Sequence, residues 1–415
     1  MSQTNTVDQL NGLFKETYAD KVEHLVPEGV RLRNMVDFQS AAKQPGNIYH
    51  QPVVLTHEHG FTYGGVEGDA FLLNNAKAGV MRDAQIRGHE MVLRSYLSIG
   101  AVSRSSNDKA AFVQATKLLV ENMLKSFARR LEVQLMYGQE GLAEIESISG
   151  TVLSIEKEEF SPGIWSGGEG MLVQIYSDLS DSATLRGEAE VTAVSLDDRS
   201  VTLNSLPAGT TAGDHIFYKG AKGSEFAGLH KIITNTGSLF NISAASYNLW
   251  KGSIVDVGSD FAGNEAVLSF AKVEEAIARA VEKGLADDKM TVLVNPRSWN
   301  NLLTEQAAKR QYDTSWDKAK VMNGSQAIEF YGQNGTIEIV SSIYVKEGFA
   351  YAFPKDDYMR IGSSDITFEM PGFEDKFFRL LENANGYELR AYTDQALFCR
   401  APGRSVLLRY IKSEA

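Results

Sequence analysis

The stretch "THEHG" (Thr56–Gly60) sets His57 and His59 two positions apart, with Glu58 between them. His50 and His89 lie nearby, so four of the chain's seven histidines fall between residues 50 and 89. Residues two apart on a strand share a face, so His57 and His59 are weak candidates for one metal ion. The spacing is not the His-Glu-x-x-His of a helical zinc site, and no cysteine is near enough in sequence to help. The plainer reading is a polar loop that contacts a neighbouring molecule, and a pH-sensitive contact asks less of the geometry than a metal does. "YGGVEG" and "SGGEG" lack both phosphate-binding glycine patterns and read as loop tips, while "GIWSGG" around Ser166 is not a G-x-S-x-G elbow. The carboxylate doublets Asp197-Asp198, Asp287-Asp288 and Asp356-Asp357 sit beside Gly, Lys or Ser and read as turns. No spacing argues for a Ser-His-Asp or Cys-His arrangement. The expectation is a protein that is not an enzyme and takes no cofactor.

Bulk properties narrow the classes further. The 415 residues suggest two or three domains, and 43% hydrophobic residues suffice for ordinary cores. A net charge of −12 argues against general nucleic-acid binding, which needs clustered Lys and Arg. The densest basic cluster, Lys117, Lys125, Arg129 and Arg130, reads as a solvated helix face with Glu121 and Lys125 paired at i, i+4. The sharper alternative is a face that touches a partner or DNA. A single cysteine, Cys399, excludes an intrachain disulfide and suits a reducing compartment. With no secretory h-region and no long apolar run, the expectation is a soluble cytoplasmic protein without a membrane partner.

The elements that must hold these residues are uneven. Residues 1–45 are weakly patterned, with Leu10, Leu13, Phe14 and Tyr18 on one side of a short amphipathic helix that must order on a neighbour. "IYHQPVVL" (48–55) and "AQIRGHEMVLRSYLSIGAVS" (84–103) flank "HGFTYGGVEGDA", whose four glycines mark a tip, so the whole reads as a long hairpin. Such a ribbon is marginal alone, and nothing within its own segment can receive it. Ala110–Gly138 reads as one helix opened by the capping residues Ser106-Asn107-Asp108. Its apolar positions Ala115, Leu119, Met123, Phe127, Leu131 and Leu135 recur every four residues, so the stripe winds and must meet different partners along the rod. Short alternating runs over 148–220 predict a small antiparallel barrel or sandwich of five or six strands. Beyond it come an amphipathic helix over 269–284, a buried strand "MTVLVNP", a second helix "RSWNNLLTEQAAKR", and further strands to the end.

This order of elements resembles the major capsid proteins of tailed bacteriophages, the Hong Kong 97-type fold. The residues that carry the resemblance are "TVLVNPRSWNNL", in which Asn295, Pro296, Arg297 and Trp299 fit the family pattern, then "KGSEFAGLHKI" and the ending "GYELRAYTDQALFCRAPGRSVLLRYI". The resemblance implies an α+β chain with an N-terminal arm (1–46), an extended loop (47–105), a spine helix of a peripheral domain (106–147), an inserted all-β domain (148–221), an axial domain (222–360) and returning peripheral strands (361–415). It implies self-assembly through hexamers and pentamers into an icosahedral shell that encloses double-stranded DNA without sequence-specific binding. Subunit contacts fall on Phe61, Tyr63, Phe71 and Leu72 of the loop and on Phe14 and Tyr18 of the arm. Scaffold, portal and decoration proteins are the implied partners, and the virion, assembled in the host cytoplasm, is the implied location. In some members Lys and Asn side chains of neighbouring subunits link covalently; Lys77 offers a donor, with no partner identifiable from one sequence. The alternatives are an encapsulin-like nanocompartment shell, a metal-dependent hydrolase built on the histidines, and a tail or adhesin protein.

Overall fold

Twenty-nine residues, Lys109–Tyr137, form one helix (α2, after the single turn α1 at Leu32–Met35), about 43 Å long at 1.5 Å per residue. Its two halves are buried differently, as the winding stripe predicts. Met123 and Phe127 pack one-sidedly against Leu389 and Ala391, whereas Leu131–Tyr137 is enclosed on every side within the largest core. The computed structural model describes residues 29–40, 48–66, 70–98, 109–286, 289–310, 327–332, 335–369, 378–380 and 386–413. Phe14, Tyr18, the capping triplet at 106–108 and the doublet at 287–288 lie outside the described residues, as does the side chain of Ala115.

Strands β1 (Phe38–Ser40), β2 (Tyr49–Thr56), β3 (Val80–Ile86) and β4 (His89–Ser98) precede α2. Strands β2 and β3 pair with each other alone, a two-stranded ribbon whose open edges tolerate Pro52. The return run does not continue the hairpin. It breaks at Arg87-Gly88, and β4 leaves for a different sheet, pairing over ten positions with a strand almost three hundred residues later.

Six strands follow α2: β5 (Ala143–Ser149), β6 (Val152–Ile155), β7 (Leu172–Tyr176), β8 (Leu185–Ser195), β9 (Ser200–Leu203) and β10 (His215–Tyr218). They close into a barrel in the order β10–β5–β6–β9–β8–β7. The barrel begins earlier than the sequence pattern, because "AEIESIS" emerges straight from the helix with only two strong apolar residues to mark it. Ile145, Leu153, Val173, Ile175, Val191, Val201 and Ile216 are all buried.

The rest of the chain builds two sheets. One runs β11 (Ser253–Asp256), β19 (Val406–Arg409), β15 (Ala350–Pro354), β12 (Met290–Val294), β14 (Gly335–Ser341), β13 (Ala327–Gly332), in that spatial order. It is covered on both faces, which is why its central strands read as unbroken apolar runs. Val292, Ala350, Ala352, Val406 and Leu408 face helix α4 (Phe270–Glu282), while Leu293, Tyr351, Phe353 and Leu407 face the α2 core. The other sheet takes β1, β16 (Tyr358–Thr367), β18 (Gly386–Cys399) and β17 (Phe378–Leu380), with β4 on the free side of β18. The terminal strand β19 therefore sits in the first sheet, not among the strands it follows in sequence.

Two of the quoted motifs have local structural causes. The short helix α3 (Leu229–Thr234) crosses the end of α2 so closely that Gly228 N–H donates to Gly138 O at 3.0 Å, and a Cβ on Gly138 would meet Phe226 O at 2.2 Å. In "NPRSW", Asn295 Oδ1 accepts from Arg297 N–H at 3.0 Å and its Nδ2 donates to Val345 O at 2.8 Å. Pro296 opens helix α5 (Pro296–Arg310), where its missing N–H costs nothing.

Candidate assembly surface

The ribbon is rooted on its own chain. Leu55, Ala84 and Ile86 are buried, Gln85 N–H donates to Phe240 O at 3.0 Å, and the Tyr49 ring meets Phe398. The expectation that nothing within the ribbon's own segment receives it agrees with this: at the base the partner is a small hairpin near residue 240, far away in sequence. Beyond the base the expectation stands physically. Val54 and Met81 are exposed, and the connecting loop carries its apolar side chains into solvent.

That loop is held in shape rather than collapsed. Val80 N–H donates to Thr56 Oγ1 at 2.9 Å, His59 N–H to Lys77 O at 3.0 Å, and Asn74 N–H to Thr62 Oγ1 at 2.8 Å. Asn74 Nδ2 also donates to Phe61 O at 2.8 Å. On this frame Phe61, Tyr63, Phe71 and Leu72 are all exposed, Tyr63 at 90% and Leu72 at 93%. Phe71 lies against the backbone of Gly64, where a Cβ would come within 2.7 Å of its ring. Val66 and Leu73 belong to the same patch and were not singled out from the sequence, although "GGV" and "FLL" contain them. Six large apolar side chains within thirteen residues form a patch of the kind that marks interaction sites. Burying each is worth about 1.5–3 kcal/mol, so the patch offers on the order of 10 kcal/mol before the costs of association.

The histidines do not assemble. Strand β2 ends at Thr56, so His57 and His59 lie in the loop, exposed, and do not share a strand face. His50 contacts Asp83 at 2.5 Å, which holds the Asp83 carboxyl below its usual range, and His89 contacts Ser224 O at 2.9 Å. Among the described residues no group of three or more His, Cys, Asp or Glu is placed to hold a metal ion.

The basic cluster differs from its solvated reading. Arg129 Nη2 donates to Ser166 O at 2.6 Å and Gly163 O at 3.2 Å, and Arg130 stacks on the Tyr218 ring at 3.1 Å. Both arginines bind the helix to the barrel; the side chain of Lys117 lies outside the described residues. The barrel is also tied to the first sheet. Glu347, buried, pairs with Arg199 at 3.0 Å and with Arg297 at 3.5 Å. Buried Lys346 pairs with Glu159, and its N–H donates to Tyr137 Oη at 2.8 Å. Burial first, then the carboxylates of Glu156, Glu159 and Glu144, pushes Glu158 up to about 7. Burial, reinforced by Lys346, pushes His230 down to about 4. A second anchor holds the first described residues. Glu132, buried in α2, accepts from the N–H groups of Arg31, Leu32 and Arg33 at 2.9, 2.7 and 2.8 Å. Burial raises its pKa while those three donors oppose the rise.

The chain matches no family model and no curated protein. Solved structures do match it along nearly its whole length. The capsid asymmetric unit of cyanophage A-1(L) shares 12% identity at a TM-score of 0.57, covering 98% of this chain and 99% of that one. This chain has the fold of a capsid protein. The capsid of a native GTA particle gives 9% identity and a TM-score of 0.51 over 99% and 100% of the two chains. The capsid of cyanophage P-SCSP1u gives 10% and 0.50 over 98% and 95%. Among the described residues no helix is long and apolar enough to cross a membrane.

Proposed function

We propose that this chain is the major capsid protein of a tailed bacteriophage, self-assembling into the head shell that encloses double-stranded DNA. The observation that carries the reading is the apolar loop tip, shaped by its own hydrogen bonds, rooted at its base and left without cover on a fold shared end to end with capsid subunits. In the mechanism proposed, the tip of the extended loop lies over an adjacent subunit and buries Phe61, Tyr63, Phe71 and Leu72 there, while β4, within the expected 47–105 span, stays in the sheet of its own subunit. The two sheets serve as peripheral and axial domains, the barrel as the inserted domain, and the axial sheet converges at the centres of hexamers and pentamers. An interface of roughly 2,000 Å² or more per contact would offset the ordering costs. Scaffold, portal and decoration proteins are further partners under this reading, and the virion is its location. Negative-stain microscopy with sedimentation velocity tests it: closed shells of uniform size are expected, and a monodisperse monomer at high protein concentration would sink it. Shells that purify with protein cargo instead of DNA would replace it with a nanocompartment.

A further inference from the structure

The second sheet turns one face to α2 and the other outward. Met91, Leu93, Leu389 and Ala391 pack toward the helix, so Val92, Arg94 and Tyr96 of β4 and Glu388, Arg390 and Tyr392 of β18 lie on the far face. Arg94 stands directly opposite Arg390. On the other side of β18, Arg379 of β17 stands opposite Glu388. Guanidinium groups from three adjacent strands thus gather around one carboxylate. Arg390 Nε and Nη2 each donate to Glu388 at 2.9 Å. Arg379 Nη2 donates to Tyr392 Oη at 3.2 Å, and Arg94 lies over the Tyr96 ring at 5.2 Å. The Arg390 hydrogen bond, then the charges of Arg94 and Arg379, hold the Glu388 carboxyl below its usual range against the effect of burial.

As it stands the arrangement is incompletely compensated. Like charges directly across a strand pair repel, and Arg94 with Arg390 is such a pair. Glu388 is only 5% exposed and is engaged by Arg390, so it offsets one of the three positive charges. Among the described residues no other carboxylate lies within ion-pair distance of Arg94, Arg379 or Arg390. Glu90 and Asp394 share the face but sit four residues further along their strands, about 13 Å away.

An oxyanion would complete the site. Guanidinium forks match phosphate oxygens in two-point contacts, and tyrosine hydroxyls add further donors. The three arginines span three strands, roughly 10 Å at about 4.8 Å per strand, so a chain of repeated phosphates meets all of them where one free phosphate cannot. With a net charge of −12 the chain as a whole repels DNA, so contact needs a local excess of this kind.

We propose that the face carrying Arg94, Arg379 and Arg390 binds the phosphodiester backbone of duplex DNA without reading its sequence. The inference goes beyond the shell reading, which encloses DNA but assigns it no contact surface, and a single subunit suffices to show it.

The test titrates the full-length chain, held as single subunits and checked by sedimentation, into a trace of short fluorescent duplex read by anisotropy. Three phosphate contacts predict a log–log salt slope near about −2.7, so raising salt from about 50 to 200 mM should weaken binding about fortyfold. Arg94→Ala with Arg379→Ala should lower affinity about tenfold or more and bring the slope to about −1, with melting unchanged. Arg94→Lys keeps the charge and should retain most of the affinity. Arg279→Ala removes a positive charge from helix α4 and should leave binding as it was, which separates this face from net charge. Affinity and slope unmoved by the double alanine variant would overturn the proposal. Equal competition by polyglutamate of matched charge would overturn it in favour of an acidic protein partner.

Discussion

The barrel and the ribbon begin as similar sequence and end as opposites. Each is antiparallel, each is built from short alternating runs, and each carries a glycine-rich turn, "SGGEG" in one and "YGGVEG" in the other. The barrel closes on itself and keeps no open edge, so its apolar face is spent internally. Its glycine turn sits under α2, where Ser166 O accepts from Arg129. The ribbon has two strands, two open edges and a glycine turn that lifts apolar side chains away from the body. Alternation and turn chemistry specify a strand; the number of partners within reach decides whether that strand is core or contact.

Mutations can break this contrast in order of expected effect. Trp165→Ala, in the fully buried turn between barrel and body, should cost about 3–5 kcal/mol and lower the melting temperature by about 3–6 °C in calorimetry. Tyr63→Asp with Leu72→Asp at the loop tip should do the reverse: no change in melting beyond about 1 °C for the unassembled chain, but particle yield by sedimentation down about a hundredfold. If the tip variant melts early, the tip belongs to the subunit's own core and the contrast fails. Arg199→Ala leaves Glu347 buried with Arg297 alone and should cost about 2–3 kcal/mol in denaturant unfolding, sharpening the role of the barrel anchor.

The smallest effect is one of pH. Glu158 has a folded pKa of about 7, above its unfolded value, so folded chain binds the extra proton between roughly pH 4.5 and 7 and loses stability as pH rises through that window. His230, at about 4, works the other way, and its contribution is lost as pH falls from about 6.5 toward 4. Glu158→Gln isolates the first effect. It should stabilise the chain at pH 8 by at most about 2 kcal/mol, since the group is partly solvated, and leave it unchanged near pH 4. Melting curves at the two pH values check it, and equal shifts at both would show that packing, not charge, is responsible.

What the sequence revealed follows the same division. The rod, the five later barrel strands, helix α4 and the exposed tip residues Phe61, Tyr63, Phe71 and Leu72 were legible because each depends on local periodicity or on the absence of a nearby apolar partner. Strand β4 was not, because its partner β18 lies almost three hundred residues away and nothing in "HEMVLRSYLS" names it. Arg129 and Arg130 were misread for the same reason: their carbonyl and ring partners are brought in by barrel closure. His57 and His59 are not aligned because the strand that would have carried them stops at Thr56, before either of them.

Glu132 has a mechanical consequence. One carboxylate grips three successive amides and is itself mounted on the 29-residue helix α2. Tension applied to the first residues of the chain is therefore delivered into the long helix before it can peel β1 from its sheet. Whatever pulls on that end pulls on a rod whose far end, at Lys109, is about 35 Å from Glu132.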